Sequence, residues 1–192
     1  MTNHNEMKRR DFWKTGLLLL LAPNLHLISS GAYAAKIPRT HGPKTKRIIE
    51  LQTGHKPGTI IISNSNLTLD FVLTGNTVAR YSVAIGRDGF TWTDDVVASS
   101  KREWPTWRPP QEMRQRDTSL PESVPPGPFN PLGARAIYLF KNGQDTLYRI
   151  HGTNDADSVG GYETSGCFRM TNADILELYP QIPVGARVIV AN

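Results

Sequence analysis

From Arg47 onward the chain is written in short apolar runs separated by polar or glycine-bearing turns. Leu67, Leu69, Phe71 and Leu73 alternate with Thr68, Asp70 and Val72, the period of a strand with one face buried. β-Branched or aliphatic runs recur at 47–51, 58–63, 78–85, 136–140 and 147–151, and Ala186–Ala191 supplies a closing strand. Asn64-Ser65-Asn66 and Thr74-Gly75-Asn76 punctuate them, and Asn142-Gly143 is the strongest hairpin signal in the chain. The pattern predicts a mainly β fold: an antiparallel β-sandwich of two packed sheets with one or two short helices.

One helix is well signalled. Thr171 followed by Asp174 makes a capping-box-like start, and Ile175, Leu178 and Tyr179 form an apolar face at helical spacing. Pro180 marks its end, and the face reads as core. Between 87 and 135 the character changes. Eight of the fourteen prolines fall there, together with Trp92, Trp104 and Trp107, which predicts a long flap with a helical turn at 112–116. Its tryptophans would cover a substrate or simply close one end of the fold. No repeat or second domain is indicated.

The beginning of the chain has another purpose. Lys8-Arg9-Arg10 forms a basic start, residues 15–21 an apolar stretch, and Ala32-Tyr33-Ala34 a small-x-small cleavage site. Residues 1–34 therefore read as a signal peptide, and Arg9-Arg10-Asp11-Phe12 resembles the twin-arginine type. Cleavage near Ala34 and residence in the periplasm are expected. Residues 35–46 read as a flexible basic lead-in, and 47–192 as one domain. The net charge of +5 is a mild bias, without the basic runs and interleaved aromatics of a nucleic-acid binder.

The chemistry concentrates in one place. The chain has a single cysteine, Cys167, set in Thr164-Ser165-Gly166-Cys167-Phe168-Arg169 downstream of His151. An exported chain with one cysteine cannot form an internal disulfide. A thiol attacks as its thiolate, and a histidine within reach can take the proton. Cys167 is thus the candidate nucleophile and His151 its base; the bland alternative is a buried, inert thiol. Backbone N–H groups around Gly166 and Cys167 are candidate oxyanion donors. His41 and His55 read as solvated. One cysteine and no paired-histidine spacing make a metal improbable, and no cofactor is expected.

These residues carry a family likeness. His151-Gly152-Thr153-Asn154, then Thr164 through Met170, with Thr171-Asn172 opening the helix, resemble the L,D-transpeptidase catalytic domain family (YkuD-like), over roughly residues 59–191. Asn130 through Arg135 adds to the likeness. The resemblance implies a peptidoglycan enzyme that forms 3–3 cross-links through a cysteine thioester. It implies Cys167 as nucleophile, His151 as base and Gly152 and Ser165 in orienting roles. Thr164, Asn154, Arg169, Trp104 and Trp107 are candidate substrate contacts. Ser165 stands where the family has a second histidine, and Thr91-Trp92-Thr93-Asp94 replaces a Thr-Pro-Thr-Gly turn. The implied partners are donor and acceptor stem peptides, with an outer-membrane protein amine as another acceptor; a monomer is expected. Hydrolysis by an L,D-carboxypeptidase, protein attachment and an inactive wall-binding module are the competing outcomes.

Overall fold

The computed structural model describes residues 42–192; the signal-peptide reading, the cleavage site and His41 lie outside them. Four strands open the domain, β1 (Arg47–Glu50), β2 (Ile60–Ser63), β3 (Thr68–Thr74) and β4 (Thr77–Ser82), followed by the short β5 (Ile85–Gly86). Next come β6 (Asp94–Glu103), helix α1 (Gln111–Arg116) and the hairpin β7 (Arg135–Lys141) and β8 (Gln144–His151). The chain ends with β9 (Tyr162–Thr164), β10 (Phe168–Arg169), helix α2 (Asn172–Leu178) and β11 (Ala186–Ala191).

The mainly β expectation holds, and the pairing refines it. What read as two sheets is one hydrogen-bonded run of nine strands, β1-β4-β3-β2-β11-β6-β7-β8-β10, beside a β5-β9 ribbon. Most pairs are antiparallel, but β2 with β11, β8 with β10, and β5 with β9 are parallel. The long sheet curls around its core. Ala84, just past β4, exchanges backbone hydrogen bonds of 2.8 and 2.9 Å with Arg169 on β10, the far edge strand. Tyr81 of β4 and Ile150 of β8 consequently join one buried cluster with Ile62, Leu69, Leu139 and Val188. Each such aliphatic side chain contributes about 1.5–3 kcal/mol on leaving water. Alternation tells which side of a strand is buried but not which strand lies next to it.

The stretch expected to be a flap contains a correction. Its first part is β6, ten residues long and central, between β11 and β7. The run Asp94-Asp95-Val96-Val97-Ala98-Ser99-Ser100 buries Val96 and Ala98 fully, while its charged residues sit at the strand's ends; so polar a strand escapes a reading based on hydrophobic runs. The remainder is irregular apart from α1 and is tied down by Asn130. This buried amide donates to the carbonyls of Pro105, Val124 and Pro125 and accepts from the Leu132 N–H at 2.8 Å.

The other local signals hold. Asn142 and Gly143 both have positive φ, 50° and 78°, as a two-residue primed turn requires. Thr171 caps α2 by accepting the Asp174 N–H at 3.1 Å, and a 3-10 turn at Tyr179–Gln181 follows because Pro180 has no N–H to continue the helix. The described end of the lead-in is tied to α2. Buried Asp174 accepts from the Thr45 N–H and hydroxyl, and Lys44 and Lys46 pair with Glu177.

Candidate active site

The site is built where β8 and β10 lie side by side. Their parallel register pairs Phe168 with Ile150 and Arg169 with His151. Phe168 and Ile150 are both in the core, so Arg169 and His151 point to the opposite face, and Arg149 joins them two residues earlier. Cys167 stands one step before β10. Its Sγ lies 4.0 Å from the carbonyl oxygen of Leu147, and the Arg149 backbone N–H is directed at the sulfur. Leu147 has a φ of 64°, within an irregularity of the β7–β8 register. The two residues singled out for chemistry therefore lie at the end of β8 and just before its neighbour β10.

His151 is buried and fixed. Its Nδ1 donates to the Gly152 carbonyl oxygen at 2.6 Å, which leaves Nε2 as the basic nitrogen. Burial pushes the imidazole pKa down to about 4, the charge of Arg169 acts in the same direction, the Gly152 bond opposes it, and Arg149 adds to the lowering. The thiol of Cys167 is pushed up by burial, against the Arg149 N–H and the charges of Arg149 and Arg169. Near neutral pH both groups are uncharged at rest. The arrangement can transfer a proton as the sulfur attacks, without a standing thiolate–imidazolium pair.

Gly152 is held by a residue the sequence offered only as part of a motif. Asn172, the first residue of α2, accepts from the Ala134 and Thr153 N–H groups at 2.9 and 3.2 Å and donates to the Thr153 carbonyl at 2.8 Å. A side chain at Gly152 would collide with the Asn172 amide oxygen. The carbonyl that orients His151 is thus set by the start of a helix. Asparagine at a helix start reads as a cap in sequence, and nothing local reveals this longer reach.

The turn carrying the thiol is also clamped. Thr164, buried, donates its hydroxyl to the Cys167 carbonyl at 2.6 Å and accepts the Gly166 N–H at 3.2 Å. It is a staple of the turn. The Gly166 N–H is thus directed at the Thr164 hydroxyl in this structure. Gly166 has a φ of 109° and lies against the Tyr148 ring. Trp92 stacks on that ring at 4.6 Å and donates its indole N–H to the Gly166 carbonyl at 2.8 Å. Trp92 thus supports the thiol turn from beneath. Its sequence signal was the departure from the family's turn at 91–94.

Two predictions follow from this clamp. Gly166→Ala forces a side chain into the Tyr148 ring at a backbone angle unfavourable to alanine, and is expected to cost about 2–4 kcal/mol in urea unfolding. Trp92→Phe keeps a ring against Tyr148 but removes the indole donor. It is expected to lower the acylation rate roughly tenfold while costing only about 1 kcal/mol of stability; an unchanged rate would leave the hydrogen bond without a role in the site.

The other candidates are dispersed. Ser165 is half-buried, and its hydroxyl makes no hydrogen bond among the described residues. Asn154 donates to the Phe129 carbonyl at 3.2 Å, linking the histidine loop to the proline-rich stretch. Trp107 exchanges backbone hydrogen bonds with Val124. Trp104, 48% exposed, has its ring 5.7 Å from the Arg135 guanidinium. Arg135 shares the core side of β7 with Ile137 and also meets Tyr179 beyond α2. The register places Arg135 on the opposite side of the sheet from the face shared by His151 and Arg169. Among the described residues, no group of three or more His, Cys, Asp or Glu side chains is placed to hold a metal ion.

The curled sheet and its clamped cysteine turn define a mainly β domain organised around one thiol and one backbone-oriented histidine. Residues 57–190 match the L,D-transpeptidase catalytic domain (YkuD), and the chain belongs to that family. It is 40% identical over 119 residues to the probable L,D-transpeptidase ErfK/SrfK of Escherichia coli, covering 59% of this chain and 37% of that protein. A Brucella melitensis structure described as a probable carnitine operon oxidoreductase is 40% identical, with a TM-score of 0.53 over 73% of this chain and 89% of that one. An L,D-transpeptidase from Mycobacterium smegmatis shares the fold at 18% identity, with a TM-score of 0.53 over 69% of this chain and 57% of that one. The chain spans about two fifths of the length of the curated E. coli relatives it matches.

Proposed function

We propose that this protein is a peptidoglycan L,D-transpeptidase that forms 3–3 cross-links through a thioester on Cys167. The observation that carries the reading is the placement of the Cys167 thiol against β8, the strand that ends in a neutral His151 whose Nδ1 is committed to Gly152. In this reading Sγ attacks the carbonyl that joins the third stem residue, a diamino acid, to the fourth, D-Ala. His151 Nε2 takes the thiol proton and returns it to the departing D-Ala amine, so the C–N bond breaks as the thioester forms. The side-chain amine of a second stem then attacks the thioester. Its proton passes to His151 and on to the released sulfur. The Cys167 N–H is the candidate donor to the developing oxyanion.

The basic, apolar and small-residue segments of 1–34 support export through the twin-arginine route to the periplasm, where both stems are found. The test is intact mass after incubation with a tetrapeptide stem, followed by identification of the released product. A thioester adduct resolved into a 3–3 dimer supports the reading. A free tripeptide as sole product makes the enzyme an L,D-carboxypeptidase. A carbapenem supplies an independent acylation probe, and its failure on folded, reduced protein would favour the inactive wall-binding module.

A further inference from the structure

Arg169 is held beside the thiol with half of its guanidinium uncommitted. Nη1 donates to the Ser158 hydroxyl at 2.8 Å, whereas Nε is buried without a hydrogen-bond partner. Nη2, on the same edge as Nε, has no partner among the described residues either. Asp155 and Glu163 act on this arginine only through space. The chain shows elsewhere what that edge is suited to hold: Arg80 directs Nε and Nη2 at Asp70 at 2.7 and 2.6 Å, and Arg187 grips Asp95 in the same way. A buried donor left unpaired costs free energy, and the Nε–Nη2 fork matches a carboxylate in charge and geometry. Arg149, the other cation near the thiol, is already closed by Asp145 through bonds of 2.6 and 2.8 Å and lies 4.0 Å over the Tyr138 ring.

We propose that the Nε–Nη2 edge of Arg169 binds a ligand carboxylate next to the carbonyl that Cys167 attacks, and so makes Arg169 a specificity-determining residue. Resting on the transpeptidase reading, that carboxylate is the α-carboxylate of the leaving residue, which in a tetrapeptide stem lies one carbon beyond the scissile nitrogen. Arg169 thereby selects stems that lose a single terminal residue. A stem extended by one residue carries a neutral amide at that place, and the buried Nε meets no anion.

The first test needs no substrate. On wild-type protein at one mildly alkaline pH, Cys167 is alkylated with iodoacetate and, separately, with iodoacetamide. In each case sulfur displaces iodide, and only the charge of the attached group differs. The iodoacetate-to-iodoacetamide rate ratio is expected to exceed that of N-acetylcysteine roughly tenfold, as a charge-assisted contact implies. Taking the ratio cancels any change in thiol reactivity. A wild-type ratio equal to that of the free thiol overturns the proposal. Arg169→Gln is expected to return the ratio to the free-thiol value and Arg149→Gln to leave it elevated; an equal fall in both assigns the effect to general positive charge and also overturns it. The second test compares acylation by a tetrapeptide acid and its C-terminal carboxamide. A roughly tenfold preference for the acid, lost in Arg169→Gln, supports the assignment to the leaving residue, and equal rates overturn it. A raised alkylation ratio with no acylation by either stem leaves the carboxylate site standing and refutes the transpeptidase reading instead.

Discussion

Cys167→Ala is expected to yield a folded protein that forms no acyl-enzyme, with transpeptidation reduced by a factor on the order of 10⁴ or more. The thiol is the chain's single cysteine, so no other sulfur can take over. The folded state loses little, because the described interactions of Sγ are a weak 4.0 Å contact to the Leu147 carbonyl and the Arg149 N–H directed at it. The turn itself is held by Thr164, Trp92 and the Tyr148 ring, all independent of the sulfur. The expected loss of stability is below about 1 kcal/mol. Intact mass after exposure to a carbapenem or a tetrapeptide stem reads the first part, and a urea melt the second. Adduct on the alanine variant would remove Cys167 from the chemistry.

His151→Gln is expected to reduce acylation by about 10²–10⁴, the range of a lost general base. The more particular expectation concerns pH. Because burial and the Arg169 charge hold the imidazole pKa near 4, the base remains available well below the usual histidine range. The acid limb of kcat/KM should therefore fall near pH 4, and a limb near 6.5 would show that His151 is not the buried base described here. Stability has the same origin. The folded pKa is below the unfolded value of 6.5, so the unfolded chain takes up a proton first as pH falls. This contribution is fully present above about pH 6.5 and is lost progressively down to about 4, for a change of about 3 kcal/mol at most. Unfolding midpoints measured across that window, with His151→Gln as reference, give its size.

Much of the fold was legible in the residues because the signals were local. Asn142-Gly143 could only turn tightly, Thr171 with Asp174 could only begin a helix well, and the alternation over residues 67–73 required one buried face. β6 was missed for a physical reason: its pairing is satisfied by β7 and β11 on its two sides, so a strand with charged ends and two core residues suffices at the centre of the sheet. The tryptophans show the same limit. As a group they suggested a flap, yet Trp92 braces the cysteine turn while Trp104 packs beside Arg135.

The sequence by itself determined the family and singled out Cys167 and His151 as its candidate nucleophile and base, because Cys167 is unique, its glycine-bearing turn is distinctive and the motif spacing is specific. Only the tertiary structure decided how those residues are prepared. The parallel pairing of β10 with β8 puts Arg169 beside His151, Asn172 fixes the Gly152 carbonyl from across the fold, and burial keeps both reacting groups neutral. Register, burial and long-range hydrogen bonds depend on which strands become neighbours. That choice is made by the curling of the whole sheet around its core, which no local run of residues encodes.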